Sequence, residues 1–394
     1  MTPDDHPFGP HVLPYGSFST GGGPPRVGVR LGDEVLDLTA ASARAQPALA
    51  ELFAAGDLDR LLAAGRDTWA AVRTAVRRLV DEEADSLLPL ADVELRLPFT
   101  VADYVDFYSS EHHATNVGRI FRPDGDPLTP NWKHLPIGYH GRAGTVVVSG
   151  TPVVRPVGQR RTPDGDVVLG PSTRLDLEAE IGFVVGTPTP LGSRVGLAAL
   201  ADHVFGVCVV NDWSARDLQA WEYVPLGPFL GKSFATSLSP WVVPLDALQD
   251  ARVRPPSRDP RPLPYLDDTD AEPWGLDLAL EVLLNGHVVS RPPFATTYWT
   301  PAQQLAHLTV NGASLRTGDL YASGTVSGPE PDQWGSLLEL TWGGKRPLEL
   351  PDGQRRTFLE DGDEVVVRAV ATGPGGRPVG IGEVTGRVLP AREP

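Results

Sequence analysis

The sequence has a single cysteine, Cys208, and only three lysines against 31 arginines. One thiol excludes an intramolecular disulfide and any zinc or iron–sulfur centre built on several cysteines. Cys208 lies in the apolar run Phe205-Gly-Val-Cys-Val-Val210, where a buried structural thiol is the first expectation and a nucleophile the second. No stretch of 18 apolar residues occurs and no charged-then-apolar leader opens the chain. A cytoplasmic protein with no membrane partner is therefore expected. Positive charge is short as well: Lys plus Arg number 34 against 50 Asp plus Glu, a net charge of −16. That balance argues against nucleic acid as a partner. The G-x-S-x-G elbow is missing too, which disfavours an α/β-hydrolase.

Glycine and proline are abundant, 42 and 40 of 394 residues, nearly twice the usual combined share of roughly 12%. No Gly-X-Y period runs through them, and 41% hydrophobic residues with nine tryptophans exclude a disordered chain. The profile is that of a turn-rich β protein of two or three domains, long enough to bury a core without disulfides.

Arg26–Arg30 and Glu34–Leu38 alternate at period two, and residues 21–25 between the first elements read as a loop. From 47 to 80 the pattern turns helical, with Trp69, Val72, Val76, Leu79 and Val80 on one stripe and Asp67 or Thr68 as N-cap. That pattern stops near residue 97, where a domain boundary is expected. Beyond it β signals dominate at 144–149, 175–185, 204–210, 276–284 and 364–371. The proline-rich segment 252–274 is either a disordered loop or a lid. Residues 373–382 read as a hairpin turn and 323–328 as a turn. No internal repeat is present.

The most informative strand is 175–185. Period two places Leu175, Leu177, Ala179, Ile181 and Phe183 on one face and Asp176, Glu178 and Glu180 on the other. Flanked by Ile-Gly-Phe-Val-Val, such carboxylates need a cation or hydrogen-bond partners; otherwise they form a solvated face. Asp212 ends the apolar run 205–210, although Asn211 or Asp212 can equally cap the helix expected at 214–221. Asp106 shares a face with Tyr104 and Tyr108. Four carboxylates from three segments, with no cysteine, suit a hard oxygen-ligated cation such as Mg²⁺ or Ca²⁺.

Glu111-His-His-Ala-Thr-Asn116 places two imidazoles on a helix opened by Ser109 or Ser110. Adjacent helical residues point about 100° apart, so only one of His112 and His113 can face the acids; both can also be surface residues. Lys232, between apolar residues and glycines, is an unlikely place for a merely solubilising charge. With Arg122, Arg142 and Arg216 it lies near the same motifs, a pattern that suits a small anionic substrate.

Taken together, these stretches resemble the fumarylacetoacetate hydrolase family. The resemblance runs through Leu13-Pro-Tyr-Gly16, Asp106-Phe-Tyr-Ser-Ser110, His113-Ala-Thr-Asn-Val-Gly118, Gly138-Tyr-His-Gly-Arg142 and Leu177-Glu-Ala-Glu180. It continues through Asn211-Asp-Trp-Ser-Ala-Arg-Asp217, the run from Trp221 to Phe234, Ser323-Gly-Thr325, Leu337-Leu-Glu-Leu340 and Asp361-Gly-Asp-Glu364. It implies a mixed, β-rich α+β fold: an SH3-like N-terminal domain over 1–97 and a mixed β-roll catalytic domain over 98–394, in a homodimer. It implies metal-dependent hydrolysis of a small diketo acid, 4-fumarylacetoacetate, to fumarate and acetoacetate in tyrosine and phenylalanine catabolism. Asp106, Glu178, Glu180 and Asp212 match the metal ligands, and Lys232 and Thr236 match positions by a second, more peripheral cation. His113 matches the general base, oriented by Glu339, while Arg216, Gln219 and Lys232 match the oxyanion-stabilising group. Tyr108, Arg122, Tyr139, Gln219, Tyr223 and Thr325 match substrate contacts. The sequence departs from the family at Glu111-His112, at 159–166 and at 252–274.

Two rivals stand beside this. One is another member of the wider superfamily, such as an acylpyruvate hydrolase or a metal-dependent decarboxylase or hydratase, which lacks the long N-terminal part. The other is a noncatalytic Ca²⁺-stabilised β module, which needs neither His113 nor Glu339.

Overall fold

A computed structural model describes residues 6–45, 47–83 and 86–392. Its centre is set by two strands that read as almost unbroken apolar runs, Ala179–Val185 and Val204–Asn211, every residue of which is buried. Such runs are expected where both faces of a sheet are covered. Ile181, Phe183, Val207 and Val209 face one core, shared with Leu278–Leu284, Glu364–Thr372 and Pro378–Leu389 of a five-stranded sheet. Val184, Cys208 and Val210 face the other, shared with Tyr15, Trp69 and Val76 of the N-terminal part. Cys208 is thus the buried thiol that the apolar run suggested, and burial alone pushes its pKa up. Each large apolar side chain in these cores contributes roughly 1.5–3 kcal/mol.

The larger sheet has 13 strands among the described residues. Across its middle the order is Trp241–Pro244, Val204–Asn211, Ala179–Val185, Asp319–Ala322, Asp103–Phe107 and Gly138–His140. Ala179 pairs with Asn211, Gly182 with Ala322, and Ala322 with Asp106. These registers bring the acid-bearing ends of three strands to one edge of the sheet. On the other flank Tyr15–Ser19 pairs with Trp241–Pro244, so residues on both sides of position 97 share one sheet. The fold is mixed α+β and strand-rich, as expected.

Several local expectations hold. Arg26–Leu31 and Glu34–Asp37 are antiparallel strands, although Leu38 already opens a helix. Helix Arg66–Glu82 buries Trp69, Val72, Val76, Leu79 and Val80 as one stripe. Residues 373–376 form the turn of a hairpin between Glu364–Thr372 and Pro378–Leu389.

Others are corrected. The Arg66–Glu82 helix starts two or three residues earlier than the expected N-cap, Asp67 or Thr68, would place it. Its N-cap is Gly65, at φ +83°, with no side-chain cap; Asp67 lies inside the first turn, where the helix dipole favours an acid. The strand expected over 175–185 is interrupted at Leu177–Glu178, between Leu175–Asp176 and Ala179–Val185. At 144–149 only Val146–Val148 is strand, after a short 3₁₀ turn. Neither Asn211 nor Asp212 caps the next helix, Arg216–Glu222, whose N-cap is Ala215. Asn211 Oδ1 instead accepts from the Glu178 amide at 3.1 Å. Residues 323–328 are not a turn: Ser323 N and Val326 N donate to Ile181 O and Ala179 O, prolonging the ladder along the central strand. Segment 252–274 is pinned at its base by Arg252–Val253 against Gly275–Leu276. Its Leu266 is buried among Trp132, Tyr298 and Trp299, so it packs on the body rather than acting as a lid.

Gly324, at φ +74°, sits where an added Cβ would come 2.0 Å from Phe107 O. Gly22 has a similar φ of +71° with nothing within 4 Å. Gly22→Ala is expected to cost about 1 kcal/mol of folding stability, and Gly324→Ala more than about 3 kcal/mol. Urea denaturation of the two variants checks the difference; equal losses would refute the close approach.

Candidate metal and hydrolytic site

Asp106 is the penultimate residue of strand Asp103–Phe107, Glu180 is the second residue of Ala179–Val185, and Asp212 follows Val204–Asn211. One carboxylate oxygen from each lies within 4.8 Å of the others, and all three residues are buried. Like charges at that spacing in a low-dielectric interior repel strongly unless compensated. Arg142 Nη2 meets Asp106 Oδ2 at 2.7 Å and Asp212 Oδ2 at 2.5 Å. Lys232 Nζ lies 2.7 Å from Asp212 Oδ2, and the Thr236 hydroxyl donates to Asp212 Oδ1 at 2.8 Å. Tyr139 donates its hydroxyl to Asp106 Oδ2 at 2.9 Å. Burial raises the Asp212 carboxyl, but Arg142 and then Lys232 outweigh it and hold the group below the ordinary carboxylate range. At Asp106 burial prevails and the pKa rises.

Glu180 differs from the rest. It is fully buried, and neither carboxylate oxygen has a hydrogen-bond partner among the described residues. Burial, then Asp106 and Asp212, push its pKa far up in the protein alone. An orphaned carboxylate aimed at two others is the donor set of a hard divalent cation.

Glu178 lies just outside that group of three. It is clasped by Lys232 and, at 2.7 Å, by Arg216 Nη2. Burial opposes its ionisation, yet Lys232 and Arg216 hold its pKa well below normal. Arg216 Nε also donates to Asp176 Oδ2 at 2.8 Å, and its Nη1 to Gln219 Oε1 at 3.2 Å. In all, five buried carboxylates face three buried cations, a formal deficit of two positive charges. A divalent ion would close that deficit.

His113 is the imidazole turned inward. Ser110 caps its helix, Glu111–Phe121, by accepting from His113 N. His113 Nδ1 lies 2.7 Å from Glu339 Oε2, with both residues buried. Glu339 Oε2 also accepts from the Ser327 and Ser336 hydroxyls at 2.9 Å each, and Oε1 from Asn116 Nδ2 at 3.0 Å. Burial works against its charge, but His113 and these donors keep its pKa low. An ionised Glu339 only accepts, so it fixes the proton on Nδ1 and leaves Nε2 basic. Tyr108 packs edge-on against the ring, centroids 5.4 Å apart. Glu111 turns away and pairs with Lys133 at 2.7 Å.

Not every expected residue is drawn in. Thr325 is buried in the 323–328 segment. Arg122 is exposed and donates to Pro127 O, within electrostatic reach of Tyr108. Tyr223 is 52% exposed, outside the cluster.

Sequence reasoning placed Arg142 only in a general positive pocket and gave Asp176 no site role, yet the structure makes both central. Arg142 bridges two cluster acids, packed between the Tyr104 and Tyr139 rings from a left-handed backbone at φ +57°. The signal was its place at the end of Gly138-Tyr-His-Gly-Arg142. Asp176 is fully buried; besides Arg216 it accepts from Leu337 N at 2.8 Å and Leu338 N at 3.1 Å. It thereby fastens helix Leu337–Leu340, which carries Glu339, to the arginine beside Glu178. Its place on the polar face of the 175–185 run was the available signal.

Comparison with known proteins bears on this site. Residues 103–389 match the family model described as "Fumarylacetoacetate (FAA) hydrolase C-terminal", and residues 11–98 match "Fumarylacetoacetase N-terminal". The chain is 47% identical to fumarylacetoacetase of Homo sapiens over 414 residues, covering 99% of this chain and 98% of that protein. It is 48% identical to that of Bos taurus over 413 residues, covering 98% and 97%. In fold it is similar to fumarylacetoacetate hydrolase from psychrophilic Exiguobacterium antarcticum, with a TM-score of 0.56 at 19% identity, covering 96% of this chain and 100% of that one. With both family models matched and near-complete coverage at this identity, the chain belongs to the fumarylacetoacetate hydrolase family.

Proposed function

We infer that the chain hydrolyses the carbon–carbon bond of 4-fumarylacetoacetate, a small anionic diketo acid, to fumarate and acetoacetate in tyrosine and phenylalanine catabolism. Relatives named fumarylacetoacetase, matched over nearly their whole length, support the substrate. The buried His113–Glu339 pair beside the carboxylate cluster is the observation that carries the chemistry. It also disfavours a noncatalytic calcium module, which has no use for such a pair.

Asp106, Glu178, Glu180 and Asp212 would hold Mg²⁺ or Ca²⁺, which when bound polarises carbonyl oxygens as a Lewis acid. Lys232 and Thr236 lie by a second, more peripheral cation in this reading. His113 Nε2 takes a proton from water, and the hydroxide adds to the ketone carbon of the fumaryl part. Arg216, Gln219 and Lys232 stabilise the resulting oxyanion. The carbon–carbon bond then breaks, its electron pair going to the acetoacetyl methylene carbon, which takes up a proton. One water thus supplies OH to fumarate and H to acetoacetate. Tyr108, Arg122, Tyr139, Gln219, Tyr223 and Thr325 contact the substrate, with Arg122 and Tyr223 at the rim.

The same reading divides the chain at residue 97 into an SH3-like N-terminal domain and a β-roll catalytic domain. It places the protein in the cytoplasm, a compartment that a chain with one cysteine suits; no helix among the described residues is long and apolar enough to cross a membrane. A second copy of the chain is the partner. The exposed apolar run Tyr223, Val224, Leu226, Phe229 and Leu230 supports a homodimer, since Leu226 alone is 96% exposed. Light scattering is expected to give a dimer, and Leu226→Asp to shift it towards monomer; a monomeric parent protein would rule the dimer out.

His113→Ala is expected to slow fumarylacetoacetate loss, followed spectrophotometrically, by about a hundred- to ten-thousand-fold with bound metal unchanged. Cleavage at the parent rate with metal retained would overturn the mechanism. Complete chelation is expected to abolish turnover and lower the melting temperature, both restored by Mg²⁺ or Ca²⁺. Full activity after complete chelation would remove the cation from the reaction.

A further inference from the structure

A cavity of about 180 Å³ lies at the opposite end of strand Val204–Asn211 from Asp212. At about 3.3 Å per residue, the strand carries the chain roughly 23 Å from Phe205, on the cavity wall, to Asp212 in the carboxylate cluster. The cavity is therefore separate from the site described above. It opens between helix Arg66–Glu82, strand Tyr15–Ser19 and the residues following Trp241–Pro244, where the N-terminal part meets the rest of the chain.

One wall is apolar: Leu61, Trp69, Val72, Phe205 and Leu245. The Phe205 ring packs edge-on against both Trp69 and Tyr15, which gives that wall a fixed shape. The polar side is made of donors. The Tyr15 hydroxyl and Arg73 Nε are buried and have no hydrogen-bond partner among the described residues. Arg73 is 4% exposed, and its two Nη atoms donate at 2.9 Å to the carbonyls of Val12 and His11. Those carbonyls hold the guanidinium in place without neutralising it. Burial pushes the Tyr15 phenol up to about 12, so it keeps its proton.

The other charges nearby are spoken for or exposed. Arg66 pairs with Asp202 at 2.8 Å, and Arg252 pairs with Glu272 while stacking over Trp274. Asp246, the one acid on the cavity wall, is exposed. The enclosure thus presents three unmet donors among its lining residues, on Tyr15, Arg73 and Arg252, with a buried positive charge beside an aromatic wall. An acceptor bearing negative charge suits such a lining, and an apolar body fills the remaining space. A cavity of about 150 Å³ is known to admit a benzene ring.

We propose that this cavity is a binding site for a small carboxylate with a flat apolar body, the carboxylate on Arg73 and Tyr15 and the body against Trp69 and Phe205. Benzoate is the probe, with benzamide as the uncharged isostere and acetate as the anion without a ring. Calorimetric titration of the full-length protein is expected to show saturable one-to-one binding of benzoate, with benzamide and acetate each at least about tenfold weaker. Tyr15→Phe deletes a hydroxyl that has no partner among the described residues, so the variant keeps its fold; it is expected to weaken benzoate by about fivefold or more. Absence of saturable binding up to about 10 mM benzoate would mean a cavity filled by water only, and the proposal would be wrong. Parent-like affinity in Tyr15→Phe would equally overturn it. So would a loss of binding in Lys232→Met with none in Tyr15→Phe, because benzoate would then lie in the carboxylate cluster.

Discussion

The structure depends on keeping five carboxylates out of water around one end of the central strands. Asp106, Asp176, Glu178, Glu180 and Asp212 would each rise in pKa and lose their charge if burial acted alone. Arg142, Lys232 and Arg216, each reaching at least two acids, overcome this for Glu178 and Asp212, whereas Asp106, Asp176 and Glu180 stay raised. The pairing is incomplete: among the described residues neither Glu180 oxygen has a hydrogen-bond partner. A protein that buries that much like charge must hold it rigidly, because removing one partner leaves an uncompensated charge at a cost of about 3–5 kcal/mol. Two apolar cores, one on each face of the central strands, supply that rigidity.

The same rigidity connects the parts of the site. Asp176 binds the Arg216 guanidinium and the amides that open helix Leu337–Leu340. Glu339 in that helix is saturated by four donors, of which His113 is one. His113, Glu339 and Arg216 are thus tied together through Asp176 and helix Leu337–Leu340, and a buried hydrogen-bonded network of this kind holds its members in one arrangement. Tyr223 and Arg122 differ in kind: both are exposed, and neither is drawn into this network.

Much of this was legible in the sequence because short-range rules produced it. Alternation in 175–185 put Asp176, Glu178 and Glu180 on one side, and the apolar run 205–210 ended at Asp212. The 100° step between helical neighbours meant that only one of His112 and His113 could turn inward. Failures came where a distant group outbid a local one. Asp212 is an acceptable helix cap by type, but Lys232, Arg142 and Thr236 claim its oxygens instead. The glycine at 324 suggested a turn, yet backbone bonds to Ile181 and Ala179 drew its segment along the sheet.

The sequence by itself determined that apolar strands would be buried, that acids would emerge from them at fixed positions, and that no intramolecular disulfide or multi-cysteine metal centre was available. Only the tertiary structure decided which of those acids meet, that Arg142 stands between two of them, and that His113 finds Glu339 from 226 residues away. Local pattern follows from the periods of strand and helix, which any window of the chain contains. Convergence follows from sheet register and packing, which bring together residues that no window of the sequence holds at once.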